Sequence, residues 1–167
     1  IASDVVVIAA GSMAIDLAST GGSAGEVTAQ IGGSVLVDAV AASGLLLVSD
    51  GETASGQIIA DIGGSLVTQG DRSQGLELQG ISGSGSAGGI SLAVTEDVVT
   101  SGVGATGVVV VSEGGTSGGS LALALGGNVA TMGAGASGIT ATSAGDLSAG
   151  DVVATLAVAA LSDGEQS

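Results

Sequence analysis

The sequence contains no histidine, cysteine, tryptophan, tyrosine, phenylalanine, proline or lysine, and its single basic residue is Arg72. Without cysteine, a disulfide framework and a thiolate metal site are excluded. Without histidine or lysine, the bases that usually activate a serine nucleophile are missing. Nucleic-acid binding requires several cationic side chains to neutralise phosphates, so we expect no nucleic acid among the partners.

Long hydrophobic runs are also missing. The longest apolar run, Val152 to Leu161, is about half of the ~20 residues that a membrane-spanning helix needs, so we expect no transmembrane segment. No basic segment precedes an apolar stretch in the manner of a signal peptide. If the protein is secreted, we expect the export signal to lie outside this sequence.

Small aliphatic residues, glycine and acidic residues make up most of what is present. Of the 167 residues, 45% are hydrophobic and 33 are glycine, the formal net charge is −15 and the mean hydropathy is +0.70. A disordered acidic chain would be poor in aliphatic residues, so this composition indicates a folded protein. Because aromatic residues supply much of a globular core, their absence favours a narrow core built from stacked short layers, as in a solenoid.

Glycine-punctuated segments recur along the chain. The clearest copies begin at Thr68, Thr100 and Thr131, and weaker ones begin at Ser19 and Ser49. Each copy has a glycine turn, a second glycine, an alternating β-branched stretch and a break rich in glycine. The second glycines are Gly25, Gly56, Gly75, Gly107 and Gly138, at spacings of 31, 19, 32 and 31 residues. This spacing predicts a repeat of about 31 residues with one shortened copy.

The apolar alternations between glycines are typical of strands, and we favour strand over helix for Val152 to Leu161 because valine and threonine are frequent there. We therefore predict an all-β, parallel β-solenoid, with residues 1–167 forming a single segment. Rungs of about 20–30 residues would give roughly six to eight rungs and a rod about 30–40 Å long. Neither terminus has a strong cap, so we expect part of a longer rod or a stacking subunit.

The repeat resembles that of bacterial autotransporter passenger domains. Residues 70–81, Gly-Asp-Arg-Ser-Gln-Gly-Leu-Glu-Leu-Gln-Gly-Ile, and the interrupted glycine tract up to Gly89 follow the family's recurrent motif, and residues 27–33 match its second half. The resemblance covers most of the chain. It implies a right-handed parallel β-helix displayed outside the cell, on the bacterial outer surface, with an adhesive or self-associating role.

Two glycine motifs are typical of enzymes, but the rest of the sequence lacks the features that each enzyme site requires. Gly-x-Gly-x-x-Gly occurs at residues 83–88, 102–107 and 133–138, and a dinucleotide site requires a helix directly after it. Strand-like segments follow instead, so we predict structural corners.

Residues 21–25 match the nucleophile motif Gly-x-Ser-x-Gly, but no base is present to activate the serine. We therefore predict that the protein is not an enzyme.

The acidic residues suggest three further sites. Glu96 with Asp97, or Asp50 with Glu52, could act as a glycosidase pair, but no aromatic platform exists to hold a sugar. The calcium-binding nonapeptide is present in no copy, and Gly145-Asp146 and Gly150-Asp151 are only distantly similar to it. An ice-binding face would need aligned Thr-x-Thr pairs, and residues 140–142 provide one.

From these observations we predict no catalytic, cofactor-binding or metal residues, and no cofactor beyond a weak association with Ca²⁺. The leading hypothesis is a non-enzymatic, extracellular structural or adhesive solenoid that self-associates or binds a surface ligand. One alternative is a homo-polymer, a filament formed by end-to-end stacking. A further alternative is a module that binds polyvalent cations or ice.

Overall fold

The computed structural model describes residues 1–157 and 160–162, and the regular elements in this part of the chain are all β-strands. The strands are β1 (Val5–Val7), β2 (Met13–Ser23), β3 (Val27–Ile31), β4 (Val35–Val37), β5 (Ser43–Ala54), β6 (Ile58–Ile62), β7 (Leu66–Thr68), β8 (Gln74–Ser82), β9 (Ile90–Val94), β10 (Val98–Thr100), β11 (Thr106–Gly114), β12 (Leu121–Leu125), β13 (Val129–Thr131), β14 (Ser137–Gly145), β15 (Val152–Leu156) and β16 (Ala160–Ser162).

Each strand pairs in parallel with the strand three places later in the chain, so the backbone winds through three sheets in turn. The first sheet has the order β1-β4-β7-β10-β13-β16, the second β14-β11-β8-β5-β2, and the third β15-β12-β9-β6-β3. We call the turns that leave these sheets the first, second and third corners. The predicted all-β parallel solenoid is confirmed.

The coil is longer, and the coils are fewer, than the sequence analysis predicted. Register partners such as Met13 and Ser43, Ser43 and Gln74, or Gln74 and Thr106 lie 30, 31 and 32 residues apart. The second and third sheets each contain five strands. The described chain therefore forms about five coils and a rod about 20–25 Å long, because one full turn uses the whole 31-residue repeat.

The predicted shortened repeat is wrong, because the five second glycines belong to two different columns of the solenoid. Gly56 lies at the second corner, whereas Gly75 lies at the start of a strand in the second sheet. The second-corner column is Gly25, Gly56, Gly88, Gly119 and Gly150; the second-sheet column is Gly44, Gly75, Gly107 and Gly138. Within each column the spacing is 31 or 32 residues, so every coil keeps the full period.

The core is a narrow stack of aliphatic side chains. In the second coil Leu45 and Leu47 of the second sheet are completely buried, as is Ile58 of the third. Each such side chain contributes about 1.5–3 kcal/mol relative to exposure. A Cβ atom on Gly44 would lie 2.9 Å from Cγ1 of Val35. Glycine at this position therefore allows the first and second sheets to approach more closely than side chains would permit.

The C-terminal apolar run is extended, as predicted, in the part that the structure describes. Residues 152–156 and 160–162 are strands that continue the third and first sheets, while residues 158 and 159 lie outside the described part. The described ranges contain no helix of the length and apolarity that a membrane crossing needs.

The first corner contains one left-handed residue in every coil. The φ angles there lie between 53° and 68° at Gly11, Ala41, Arg72, Gly104 and Gly135. A residue with a Cβ atom loses about 1–2 kcal/mol in this conformation. Ala41 and Arg72 are therefore strained relative to their glycine counterparts.

Exchanging alanine and glycine at this corner should change stability in opposite directions. We expect Ala41→Gly to raise the free energy of unfolding by about 0.5–1 kcal/mol, since the relief of strain exceeds the entropic cost of glycine. Gly135→Ala, whose Cβ would meet no atom within 4 Å, should lower it by a similar amount. Chemical unfolding followed by circular dichroism measures both, and equal effects of the same sign would contradict the assignment.

Candidate functional site

The glycine motifs form corners of the coil. Residues 102–107 and 133–138 span the first corner and enter β11 and β14, and residues 83–88 span the second corner before β9. The prediction that strands follow these motifs is confirmed. In the described chain no helix N-terminus accompanies them, so the phosphate-binding arrangement of a dinucleotide site does not form.

The serine of the nucleophile-like motif pairs with a hydroxyl group of the next coil. Ser23 Oγ lies 3.0 Å from Thr53 Oγ1, and Thr53 Oγ1 donates a 2.6 Å hydrogen bond to the Gly22 carbonyl. Both residues are exposed. These contacts join the first coil to the second.

The carboxylates at the third corner also connect coils. Asp97 Oδ1 accepts a 2.7 Å hydrogen bond from the Asn128 backbone N–H and lies 3.3 Å from Asn128 Nδ2. Glu96 Oε2 accepts a 3.0 Å bond from Ser65 Oγ. The two carboxylates therefore bond to the coils on either side, and this arrangement is structural.

A shallow acidic groove runs along the second corner. Its two halves have volumes of about 390 and 450 Å³, and the carboxylates that line it are those of Asp50, Glu52, Glu113 and Asp146. Among the residues described, no group of three or more potential metal ligands converges, in this groove or elsewhere. The groove is a region of negative surface; its carboxylates are spread over several coils and form no coordination sphere.

The Thr-x-Thr pair does not extend into a threonine array. Thr140 and Thr142 are exposed on β14, and their register partners on β11 are Val109 and Val111. The next partners, on β8, are Glu77 and Gln79. This face of the second sheet therefore has one threonine pair in one coil.

Sequence reasoning missed a serine that closes the second corner. Ser112 Oγ donates to the Gly88 carbonyl of the preceding coil at 3.1 Å and accepts from the Gly119 N–H at 2.8 Å. Ser49 and Ser143 make the same two contacts in their coils. Each serine precedes its corner glycine by seven residues, a spacing that could have revealed the pattern.

The middle coil replaces this serine by Gly80. There Ser55, from the coil before, accepts the hydrogen bond of the Gly88 N–H at 2.9 Å. A Cβ at Gly80 would lie 3.5 Å from Ser55 Oγ, within ordinary contact distance. Serines at two different positions of the coil can therefore accept the hydrogen bond from the N–H of the second-corner glycine.

In the part of the chain that the structure describes, two hydroxyl groups are buried without a partner. Thr68 and Thr100 are completely buried, and neither Oγ1 atom has a hydrogen-bond partner. Thr68 and Thr100 are register partners, and the partner of Thr68 in the second coil is Val37, an isosteric residue. Both hydroxyls are buried in the core, and an unsatisfied buried polar group reduces stability.

Removing one of these hydroxyls should stabilise the protein. We expect Thr100→Val to raise the free energy of unfolding by about 1–3 kcal/mol, because an unsatisfied polar group leaves the core and the shape is kept. Thr142→Val, an exposed control, should change it by less than about 0.5 kcal/mol. Chemical unfolding distinguishes them, and a loss of stability in Thr100→Val would contradict the assignment.

Two serine positions should be interchangeable as partners of the second-corner N–H: the position of Ser112 in its own coil, and the position of Ser55 in the coil before. We expect Ser112→Ala to lower the free energy of unfolding by about 1–3 kcal/mol, because the Gly119 N–H and the Gly88 carbonyl lose a partner. Ser55→Ala should be similarly destabilising. Gly80→Ser should restore stability in the Ser55→Ala background, and no recovery in a thermal unfolding assay would contradict the proposed exchange.

Comparison with protein-family models, with curated proteins and with solved structures finds no match to this chain.

Proposed function

We propose that this chain is a non-catalytic, structural or adhesive rod of an extracellular bacterial surface protein. The observation that supports the proposal is the continuity of three parallel sheets through all five coils, with corner hydrogen bonds linking each coil to the next. The carboxylates and serine hydroxyls described above form these links or lie apart on the outer surface. Shape and surface are therefore what the molecule offers to a partner.

The charge distribution suits such a role. The outer surface is acidic, with a net charge of −15 for the chain, and this charge favours solubility and keeps rods apart at long range. Localisation on the bacterial outer surface rests on the resemblance to autotransporter passenger domains. The segment that carries this resemblance, residues 70–81, forms the first corner and most of β8.

End-to-end stacking is a second candidate, favoured by the terminal coils. Leu17, Val152 and Leu156 occupy inward-facing register positions and are 39%, 49% and 40% exposed, whereas Leu47, the partner of Leu17, is fully buried. However, β16 pairs with β13 at the level in the first sheet where β1 of a stacked copy would lie. Continuous stacking would therefore require β1 to displace β16.

A surface-display experiment tests the structural and adhesive parts of the proposal separately. We expect bacteria that display the chain to attach to surfaces or to one another more than cells that display Gly107→Ala. In this control a Cβ would lie 2.6 Å from the Gly138 carbonyl oxygen, so the coil should not close.

Trypsin provides the folding readout, because it can cut only after Arg72. We expect slow cleavage of the parent chain and fast cleavage of Gly107→Ala. Rapid cleavage of the parent would overturn the structural part of the proposal. Equal attachment by parent and control would overturn the adhesive part.

A further inference from the structure

Large exposed apolar side chains concentrate along one edge of the rod. Ile8, Val40, Val103 and Met132 lie at the first corner in four different coils, with 75%, 46%, 56% and 57% of their surface exposed. The adjoining outer face of the first sheet is apolar in every described coil and bears no charge on its strands. Its outward residues are Val6, Leu36, Val67, Val99 and Ala130. We call these nine residues the apolar edge.

The edge has a polar centre. In the middle coil the first corner carries Asp71 and Arg72, both exposed, and Arg72 is the one cation among the side chains of the sequence. Asp71 Oδ1 accepts a 2.9 Å hydrogen bond from the Val103 N–H, which holds this carboxylate at the corner. Opposite charges are thus adjacent at the midpoint of the apolar edge.

The apolar positions of the edge are symmetric about this midpoint, while the first corner of the second coil also carries an exposed carboxylate, Asp38, where the fourth coil has Ser101. The first coil presents Ile8 where the fifth presents Met132, and the second presents Val40 where the fourth presents Val103. On the first sheet, Val67 lies between Leu36 and Val99, at the centre of the five strands whose outward residues belong to the apolar edge. A two-fold axis through the middle coil would bring like with like at the apolar positions. It would place Asp71 and Arg72 of one copy against the same pair of the other copy, so that each charge has an opposite charge as a diagonal neighbour.

We propose that the apolar edge binds a second copy of the chain, with the two rods side by side and antiparallel. An isologous contact requires a self-complementary surface, which is the pattern that this edge shows. The inference deepens the proposed structural role and rests on it, because the edge exists only when the coils are stacked. Unlike end-to-end stacking, the contact involves no terminal coil face, and it closes at two subunits.

The size of the edge predicts a weak dimer. Five coils span about 20–25 Å and the strand with its corner spans about 20 Å, so each copy would bury about 400–500 Å². Stable interfaces bury about 800 Å² per partner. Two rods of charge −15 also repel each other, so added salt should strengthen association until it screens the central Asp71–Arg72 pairs.

Sedimentation velocity with interference optics, over a range of concentrations, tests the contact without aromatic absorbance. We expect reversible dimers of the parent chain. Val103→Glu and Arg72→Glu should each lower the association constant at least tenfold. The matched control is Leu147→Glu, at an 83% exposed residue of the second corner, which should lower it less than threefold. The double exchange Asp71→Arg with Arg72→Asp should recover most of the loss seen in Arg72→Glu.

Cysteine cross-linking tests the orientation, because the chain has no cysteine of its own. Val67→Cys, near the proposed axis, should form a disulfide-linked dimer with itself under mild oxidation. Val40→Cys should link to Val103→Cys more readily than to itself. Ser91→Cys, in the same coil but on the third sheet, is the control that should stay monomeric.

Several outcomes would overturn the proposal. A chain that remains monomeric at millimolar concentration, yet resists trypsin at Arg72, would remove the lateral contact and leave the structural role intact. Open-ended assemblies that are insensitive to Val103→Glu would point to end stacking instead. Equal effects of Val103→Glu and Leu147→Glu would show that added charge, and not the edge, governs association.

Discussion

Every position in this protein must pack against the same position one coil above and one coil below, at the spacing of neighbouring β-strands. This repetition restricts the side chains more strongly than burial alone does. Inward columns such as Ile58, Ile90 and Leu121 keep the same kind of branched side chain through successive coils. Where the backbone turns or sheets approach, a Cβ atom would clash: at Gly107 it would lie 2.6 Å from the Gly138 carbonyl oxygen. The lack of aromatic residues and the abundance of glycine follow from one geometric constraint.

The same constraint explains where the polar groups are found. A corner leaves backbone N–H and carbonyl groups without strand partners, and each buried one must be satisfied. A serine hydroxyl can do so with a single side chain, because it donates and accepts at once. Ser112 uses both abilities, bonding one coil as donor and its own coil as acceptor. The unpaired hydroxyls of Thr68 and Thr100 show the opposite case, since they occupy a column that Val37 fills without cost.

The fold class could be predicted because a glycine period near 31 and alternating aliphatic residues are properties of the sequence itself. The register could not. Gly56 and Gly75 look alike in the sequence, but one closes a corner and the other opens space between two sheets. Only the three-dimensional stacking separates these roles, and confusing them produced the apparent 19-residue repeat. The serine at the second corner was missed for a similar reason, since its partners lie 24 residues back and seven residues ahead.

The outer surface is where such a fold can acquire function, since the inward side chains and the glycines and serines that close the second corner are fixed by their neighbours. Outward residues touch only their register partners, so their chemistry can differ from coil to coil at little cost to the core. On the second sheet they do differ: Glu77 lies between Leu46 and Val109. On the first sheet they remain aliphatic in all described coils. Stacking constrains both outer faces equally, and exposure to water should disfavour an unbroken aliphatic row. A partner that covers the first sheet gives a physical reason for that row to persist.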